Sequence, residues 1–131
     1  MKIDIKSLDG NAAFEGGSGN DTIAFTGSNF AARLDVELGN GTNSLDATNS
    51  VAADKAEFES GSGVDSFSFT GSSFVRLETE QGRGNDTLSI GMTSVTMDAE
   101  FDGEGGSDTF NDSGGNSLTN LQRESFETIN V

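Results

Sequence analysis

Apolar side chains recur along this chain in short alternating runs, and each run takes the same place within a unit of 21 or 22 residues. We align the units on one residue of the Gly-rich turn that each contains, and call these residues the anchors. The anchors are Asp21, Asn43, Asp65, Asp86 and Asp108, separated by 22, 22, 21 and 22 residues. Alternation of apolar and polar residues is typical of a half-buried strand. The chain is therefore predicted to be a structural repeat built from strands.

Five positions of the unit are apolar in most copies and are predicted to face the interior. Two residues after the anchor stand Ile23, Leu45, Phe67, Leu88 and Phe110, and four after it Phe25, Ala47, Phe69 and Ile90, with Asp112 breaking the pattern. Seven residues before the anchor stand Phe14, Val36, Phe58, Thr79 and Phe101, and nine before it Ala12, Leu34, Ala56, Leu77 and Ala99. Nine residues after the anchor stand Phe30, Ala52, Phe74 and Val95.

A unit of this length predicts an all-β fold, a parallel β-solenoid (β-roll or β-helix) of about five to six coils. At about 3.3 Å per extended residue, one coil has a perimeter of roughly 70 Å, which accommodates two or three short strands and their corners. A β-sandwich of conventional hairpins is the competing interpretation. Residues 1–131 are interpreted as a single module. Because Leu8 stands 22 residues before Phe30, in the same apolar column, we expect the module to be part of a longer array.

Composition restricts the partners more than the fold. With 7 Lys and Arg against 22 Asp and Glu, the net charge is −15, which disfavours nucleic acid and anionic membranes and favours cations. Cysteine is absent, so the sequence predicts neither disulfides nor thiol chemistry. No apolar run approaches the roughly 20 residues of a membrane span, and we expect no membrane insertion.

Carboxylates occupy two further columns of the unit. Six residues before the anchor stand Glu15, Glu37, Glu59, Glu80 and Asp102, and eight before it Asp35, Glu57, Glu78 and Glu100. In a parallel solenoid such residues stack about 4.8 Å apart, and each neighbouring pair then repels by roughly 3.5 kcal/mol at an effective dielectric of 20. The cationic column Arg33, Lys55 and Arg76 is too small to balance this repulsion.

A bound metal ion would offset the repulsion. Hard oxygen ligands without His or Cys favour Ca²⁺ over Zn²⁺ or Cu²⁺, and glycines with positive φ can direct backbone carbonyls towards an ion. The alternative is that the carboxylates form a solvated face that keeps the protein soluble.

The turns resemble the nonapeptide G-G-x-G-x-D-x-U-x of hemolysin-type (RTX) calcium-binding repeats. Residues 16–24 (G-G-S-G-N-D-T-I-A) match it in full, and residues 60–68 and 81–89 lack only the first Gly. Residues 38–46 also carry Asn43 in place of Asp, and residues 103–111 keep Asp108 with a shifted Gly pair. The chain is thus similar to this family, with one nonapeptide per coil.

The resemblance implies a parallel β-roll whose turns hold Ca²⁺ between Asp carboxylates and turn carbonyls. It assigns ligation to Asp21, Asp65, Asp86 and Asp108, with Asn43 at the substituted position, and turn shaping to Gly17, Gly19, Gly61, Gly63, Gly82 and Gly84. In the family, consecutive nonapeptides form two facing stacks of turns. Only one stack occurs here, so the acidic column Glu15, Glu37, Glu59, Glu80 and Asp102 is a hypothetical source of the missing ligands.

The function expected from these observations is a calcium-binding structural or adhesive module, such as part of an S-layer or adhesin, at the cell surface or outside the cell. Its expected partners are calcium ions, neighbouring repeats of the same chain, and copies associated end to end. An enzyme is not expected, because the chain lacks His, Tyr, Trp and Cys. The alternatives are a module of a polysaccharide-active β-helix protein and an ice-binding solenoid, the latter because Thr22, Ser44, Ser66, Thr87 and Thr109 align in one column.

Overall fold

The computed structural model describes residues 2–3 and 6–131, and this part of the chain is an all-β parallel solenoid. Every strand pair that it contains is parallel. We number coils 1 to 5 by their anchors, and a sixth coil contains Glu127. The prediction of a β-solenoid of about six coils is confirmed, and the hairpin sandwich is wrong because no antiparallel pair occurs among the described strands. The described residues include no helix capable of crossing a bilayer.

Sheet 1 contains the strand that follows each anchor. Its seven strands, in spatial order, are β1 (Lys2–Ile3), β4 (Thr22–Thr26), β7 (Ser44–Thr48), β9 (Ser66–Thr70), β12 (Thr87–Gly91), β15 (Thr109–Asp112) and β18 (Thr128–Asn130). The register follows the sequence repeat, since Leu45 pairs with Ile23 on one side and with Phe67 on the other. Each coil therefore adds one strand to this sheet.

Sheet 2 lies opposite sheet 1 and contains the acidic columns. Its nine strands are β2 (Ser7–Leu8), β3 (Ala12–Glu15), β5 (Asn29–Phe30), β6 (Leu34–Glu37), β8 (Val51–Glu59), β10 (Ser73–Glu80), β13 (Ser94–Asp102), β16 (Ser117–Leu118) and β17 (Gln122–Glu124). A two-stranded sheet in the turns joins β11 (Arg83–Gly84) to β14 (Gly105–Gly106). The pairing of Leu8 with Phe30 confirms the expected 22-residue offset.

The core fills the space between the two sheets with the predicted apolar columns. Its largest buried side chains include Phe25, Phe30, Phe58, Phe67, Phe69, Phe101 and Phe110. Phe69 of sheet 1 packs edge-on against Phe74 of sheet 2, with 5.7 Å between ring centroids. Phe14 is only half-buried, and Asp112 interrupts the core as expected. Each Å² of apolar surface removed from water contributes roughly 25 cal/mol, so the large buried phenylalanines contribute most to the stability of the core.

A polar column lines the corner where the chain leaves sheet 1. Its members are Ser28, Ser50, Ser72 and Thr93, all almost fully buried, and Asn116 continues the column in coil 5. The backbone N–H of Ser50 donates to Ser72 Oγ at 3.1 Å, and Ser72 Oγ donates to the backbone oxygen of Ala47 at 2.8 Å. We call this column the hydroxyl ladder. It ties each coil to the next without leaving these polar atoms unpaired.

Candidate metal centre

The anchors lie at the opposite corner, where the chain enters sheet 1, and their side chains point into the solenoid. The exposed fractions of Asp21, Asn43, Asp65, Asp86 and Asp108 are 7, 2, 1, 1 and 0 %. Each anchor directly precedes a strand of sheet 1, so the two-residue alternation directs it to the same side as the core residue that follows. The predicted site residues are therefore interior groups.

The anchors form a second hydrogen-bonded column, which we call the carboxylate ladder. Each anchor N–H donates to the side-chain oxygen of the next anchor, at 3.0 Å from Asp21 to Asn43 and 2.8 Å from Asn43 to Asp65. The corresponding distances are 2.7 Å from Asp65 to Asp86 and from Asp86 to Asp108. In coil 6, Glu127 ends the column by accepting from the N–H of Asp108 at 2.6 Å. One oxygen of Asp65, Asp86 and Asp108 thus has a defined structural role.

The second oxygen of the carboxylates is the unusual feature of this ladder. The Oδ2 atoms of Asp65, Asp86 and Asp108 are buried and have no hydrogen-bond partner. Ser60 lies beside Asp65, but its hydroxyl donates its one proton to the backbone oxygen of Gln81 at 3.0 Å. A buried polar atom without a partner costs about 1–3 kcal/mol, more when it is charged. These three oxygens require a donor or a positive charge.

Asn43 shows which chemistry the position accepts. Its Nδ2 donates to the backbone oxygen of Gly39 at 2.9 Å, while its Oδ1 accepts from Asp21 as a carboxylate would. Both ends of the Asn43 amide are therefore hydrogen-bonded, the oxygen within the ladder and the nitrogen to the turn. An ionised Asp has the same shape but has an acceptor where Asn43 has a donor.

Electrostatics at the ladder follow from burial. The pKa of Asp86 is raised to about 6, mainly by burial. The charges of Asp65 and Asp108 contribute to this rise, and the hydrogen bond from the Asp65 N–H opposes it. Burial also raises the pKa values of Asp65 and Asp108. The interior therefore disfavours these carboxylates as free anions.

The glycine turns stack directly on one another beside the ladder. A Cβ on Gly84 would lie 1.5 Å from the backbone oxygen of Gly63, which explains the absence of a side chain there. Of the predicted turn glycines, Gly17, Gly19, Gly63 and Gly82 have positive φ, whereas Gly61 and Gly84 do not. Several turn carbonyls also accept hydrogen bonds from the next coil, including that of Gly61 from the N–H of Arg83 at 2.9 Å. One lone pair of this oxygen is therefore already used.

The column Glu15, Glu37, Glu59, Glu80 and Asp102 lies on the outer surface of sheet 2, and we call it the outer acidic row. Glu59 pairs in register with Glu37 on one side and with Glu80 on the other, so like charges are adjacent. Burial and neighbouring carboxylates raise the pKa values of Glu59 and Glu80. No ion pair to this row is found among the described residues.

The neighbouring acidic column, by contrast, is largely neutralised. Arg33 contacts Asp35 at 2.9 Å and Glu57 at 2.5 Å, and Lys55 contacts Glu57 at 3.1 Å and also Glu78. Burial alone would raise the pKa of Glu57, but Lys55 and Arg33 lower it below its usual value. Arg76 pairs with Asp98 at 3.1 Å, at the point where the cationic column ends. Three of the seven Lys and Arg of the chain thus lie on one column and pair with its acidic neighbours.

The structure brings the anchors together in one column and the outer acidic row together in another, but it separates the two. The anchors point inwards and the outer row points outwards, and no group of three or more Asp, Glu, His or Cys side chains converges within the described part of the chain. A metal ion at the ladder would therefore draw on amide, hydroxyl or backbone oxygens as well. No protein-family model, curated protein or solved structure matches this chain.

Sequence reasoning missed two sets of polar interior residues. One is the hydroxyl ladder, which the recurrence of Ser or Thr seven residues after each of the first four anchors could have indicated. The other is Gln81 in coil 4, which is 0 % exposed; its neighbour Thr79, 1 % exposed, was expected to face the interior, but its polarity was not interpreted. Thr79 stands in a column otherwise filled by Phe or Val, and that substitution was visible in the sequence.

Proposed function

We propose that this chain is a calcium-stabilised structural module of a secreted or cell-surface protein. The observation that carries the proposal is the carboxylate ladder, in which three buried Oδ2 atoms have neither a donor nor a counter-charge. An all-oxygen environment without nitrogen or sulfur ligands suits Ca²⁺. The residues that would hold the ion are Asp65, Asp86 and Asp108, with oxygens from the adjoining turns.

The stacking of the anchors supports a divalent cation. Adjacent coils place Asp65, Asp86 and Asp108 in successive rungs, about 4.8 Å apart. Two carboxylates at that distance repel by roughly 3.5 kcal/mol at an effective dielectric of 20. An ion between two rungs would turn this repulsion into attraction. Because the ladder exists only when the coils are stacked, ion binding is coupled to folding.

The outer acidic row provides a second place where Ca²⁺ would lower repulsion. Within the described part of the chain it has no ion pairs, unlike the column beside it, and it lies at the surface. Binding there would be weaker, because water screens exposed carboxylates. The two columns therefore predict a tight interior site and a loose surface site.

A structural role, rather than catalysis, follows from the distribution of polar groups. The interior polar groups of the two ladders hold neighbouring coils together, and the proposed ion would add a further link between coils. The extracellular setting rests on the resemblance to calcium-binding repeats. End-to-end association of copies of the module would suit an adhesive or layer-forming protein.

The test is a calcium titration of chelator-treated protein, followed by circular dichroism and by melting temperature. We expect Ca²⁺ to raise the melting temperature, with a stabilisation of about 2.7 kcal/mol once calcium reaches 100 times its Kd. The triple variant Asp65→Asn/Asp86→Asn/Asp108→Asn should be folded in chelator, because each amide can donate as Asn43 does. Its melting temperature should no longer rise at the calcium concentrations that saturate the interior site of the wild type.

The matched control is Glu37→Gln/Glu59→Gln/Glu80→Gln, which removes the same number of charges from the outer acidic row. It should retain the response of the ladder. Loss of the response in this control, with its retention in the Asn variant, would move the site to the outer surface. A wild-type protein unaffected by millimolar Ca²⁺ would refute the proposal.

A further inference from the structure

The interior of coil 4 is more polar than that of the coils on either side. Thr79 pairs in register with Phe58 of coil 3 and with Phe101 of coil 5, so one small polar residue stands between two phenylalanines. Gln81 follows two residues later and faces the same side. Both side chains are almost completely buried. Packing does not explain two polar residues at these positions.

Three oxygen atoms in this coil have no hydrogen-bond partner, namely Thr79 Oγ1, Gln81 Oε1 and Asp86 Oδ2. The other end of the Gln81 amide is in use, since its Nε2 donates to the backbone oxygen of Thr87 at 3.1 Å. Buried polar atoms are nearly always paired, so three unpaired atoms in one coil indicate a bound species that completes them.

The three residues are neighbours in the coil. Gln81 stands five residues before its anchor, and the same place is occupied by Gly16 in coil 1 and Gly103 in coil 5. A Cβ on Gly16 would lie 2.7 Å from Asp21 Oδ2, and a Cβ on Gly103 would lie 2.9 Å from Asp108 Oδ2. Gln81 carries a real side chain at this place, so its Cβ lies on the side of the coil that faces the anchor, and Thr79, two residues earlier, lies on the same face of the chain.

We propose that Thr79, Gln81 and Asp86 form the specific calcium seat of the solenoid, with Oγ1, Oε1 and Oδ2 as its side-chain ligands. This inference rests on the proposed function and assigns it to one coil. Carboxylate, amide and backbone oxygens are common ligands of Ca²⁺, and the two neutral groups add ligands without adding repulsion. Coils 3 and 5 lack an equivalent, because Ser60 is engaged with a backbone oxygen and Gly103 has no side chain.

The seat also has access to negative charge without further acidic residues in the same coil. The ladder places Asp65 one rung before Asp86 and Asp108 one rung after it. Each of these two neighbours is joined to Asp86 by a hydrogen bond of 2.7 Å. An ion at coil 4 is thus flanked by carboxylates on both sides. An ion at coil 3 would have Asp86 on one side but the neutral Asn43 on the other.

The test compares Ca²⁺ binding by isothermal titration and by melting temperature in the wild type and in Thr79→Val. Valine has a similar shape and removes only the hydroxyl. We expect Ca²⁺ affinity to fall about tenfold, as for the loss of one contact to a charged group. In chelator the variant should be at least as stable as the wild type, because the hydroxyl that it loses has no partner. This opposite response in calcium and in chelator would distinguish a ligand from a purely structural group.

Thr93→Val is the matched control, since it makes the same change at a buried rung of the hydroxyl ladder in the same coil. Thr93 Oγ1 donates to backbone oxygens, at 3.1 Å for Gly91. Its variant should lose stability equally in calcium and in chelator, with unchanged Ca²⁺ affinity. Gln81→Met is a second variant that removes Oε1 together with the Nε2 donor to Thr87, so it should lose some stability in chelator as well, and it should also weaken Ca²⁺ binding about tenfold.

The outcomes separate this inference from the proposed function. If the wild type binds Ca²⁺ and both Thr79→Val and Gln81→Met retain its affinity, the seat in coil 4 is refuted and the proposed function stands. If the wild type binds no Ca²⁺, both are refuted. If the two variants lose stability by the same amount with and without calcium, the three atoms share a buried water, and the seat is again refuted.

Discussion

The two polar ladders lie at opposite corners of sheet 1, and both link neighbouring coils by hydrogen bonds, but with different side chains. In both, a backbone N–H of one coil donates to a side-chain oxygen of the next, as Ser50 does to Ser72 and Asp65 does to Asp86. A hydroxyl is both donor and acceptor, so Ser72 also donates to a backbone oxygen. A carboxylate has acceptors only. The hydroxyl ladder is therefore complete in its hydrogen bonds, whereas the carboxylate ladder keeps unpaired acceptors at Asp65, Asp86 and Asp108.

Asn43 places this contrast within a single column. It replaces the second oxygen by a donor, and its contact with Gly39 completes the rung. The three Asp rungs downstream keep an unpaired oxygen at a cost that the amide avoids. A site that retains a costly group where a cheaper one fits is a candidate for function.

The largest expected effect concerns how closely the coils approach at each corner. Gly84→Ala, beside the carboxylate ladder, would place a Cβ 1.5 Å from the backbone oxygen of Gly63. We expect a loss of at least about 3 kcal/mol, because stacked backbones cannot move apart locally. Gly27→Ala, beside the hydroxyl ladder, meets no atom within 4 Å and should cost about 1 kcal/mol for its positive φ. Urea unfolding checks both, and equal losses would contradict the difference in packing.

The second prediction is that, of the two ladders, only the carboxylate ladder makes the stability depend on pH. Burial gives Asp86 a pKa of about 6 in the folded protein, above its ordinary value of 3.8. The folded state then binds the proton more tightly than the unfolded chain, so the ionised group costs stability above pH 6 and this cost disappears as the pH falls. In chelator, the free energy of unfolding should gain roughly 2 kcal/mol from this group between pH 7 and pH 4.

The control for the pH prediction is Asp86→Asn, which removes the titrating group and keeps its shape. Its free energy of unfolding should vary less between pH 7 and pH 4 than that of the wild type, the difference being the contribution of Asp86. Identical pH profiles for the two proteins would show that other carboxylates account for the dependence.

The third prediction concerns the hydroxyl ladder. Ser72→Ala leaves the Ser50 N–H and the backbone oxygen of Ala47 without their partner, at 3.1 and 2.8 Å in the wild type. We expect a loss of about 1.5 kcal/mol. The loss should be the same in calcium and in chelator, because this corner carries no charge. A calcium-dependent loss, measured by denaturant unfolding in both conditions, would link the two corners.

The smallest effect is expected on the outer surface. Lys55→Met breaks the ion pairs with Glu57, at 3.1 Å, and with Glu78. Because these groups are partly exposed, the loss should remain below about 1 kcal/mol and should shrink at high salt. Thermal melts at low and high ionic strength check this. A large loss that is insensitive to salt would show that this column, and not the ladder, dominates the electrostatics of the protein.

The sequence by itself determined the repeat, its strands and its core. Apolar columns at a constant spacing can be buried together only if successive units stack in register, so the parallel solenoid followed from positions such as Ile23, Leu45 and Phe67. The predicted stacking of carboxylates also followed, because equal spacing places like residues side by side. The assignment of the anchors to calcium remains a prediction.

Only the tertiary structure decided where each polar column points and what it contacts. The anchors turn inwards while the outer acidic row turns outwards, although only six residues separate Glu80 from Asp86. The conformation of the stacked turn between them sets these directions, and spacing along the chain does not encode it. Ser72 pairs with an atom of the previous coil, more than 20 residues away along the chain. Whether Asp86 Oδ2 finds a partner is likewise decided by atoms of neighbouring coils. Such contacts exist only once the coils have closed, because hydrogen bonding is fixed by distance and angle in space.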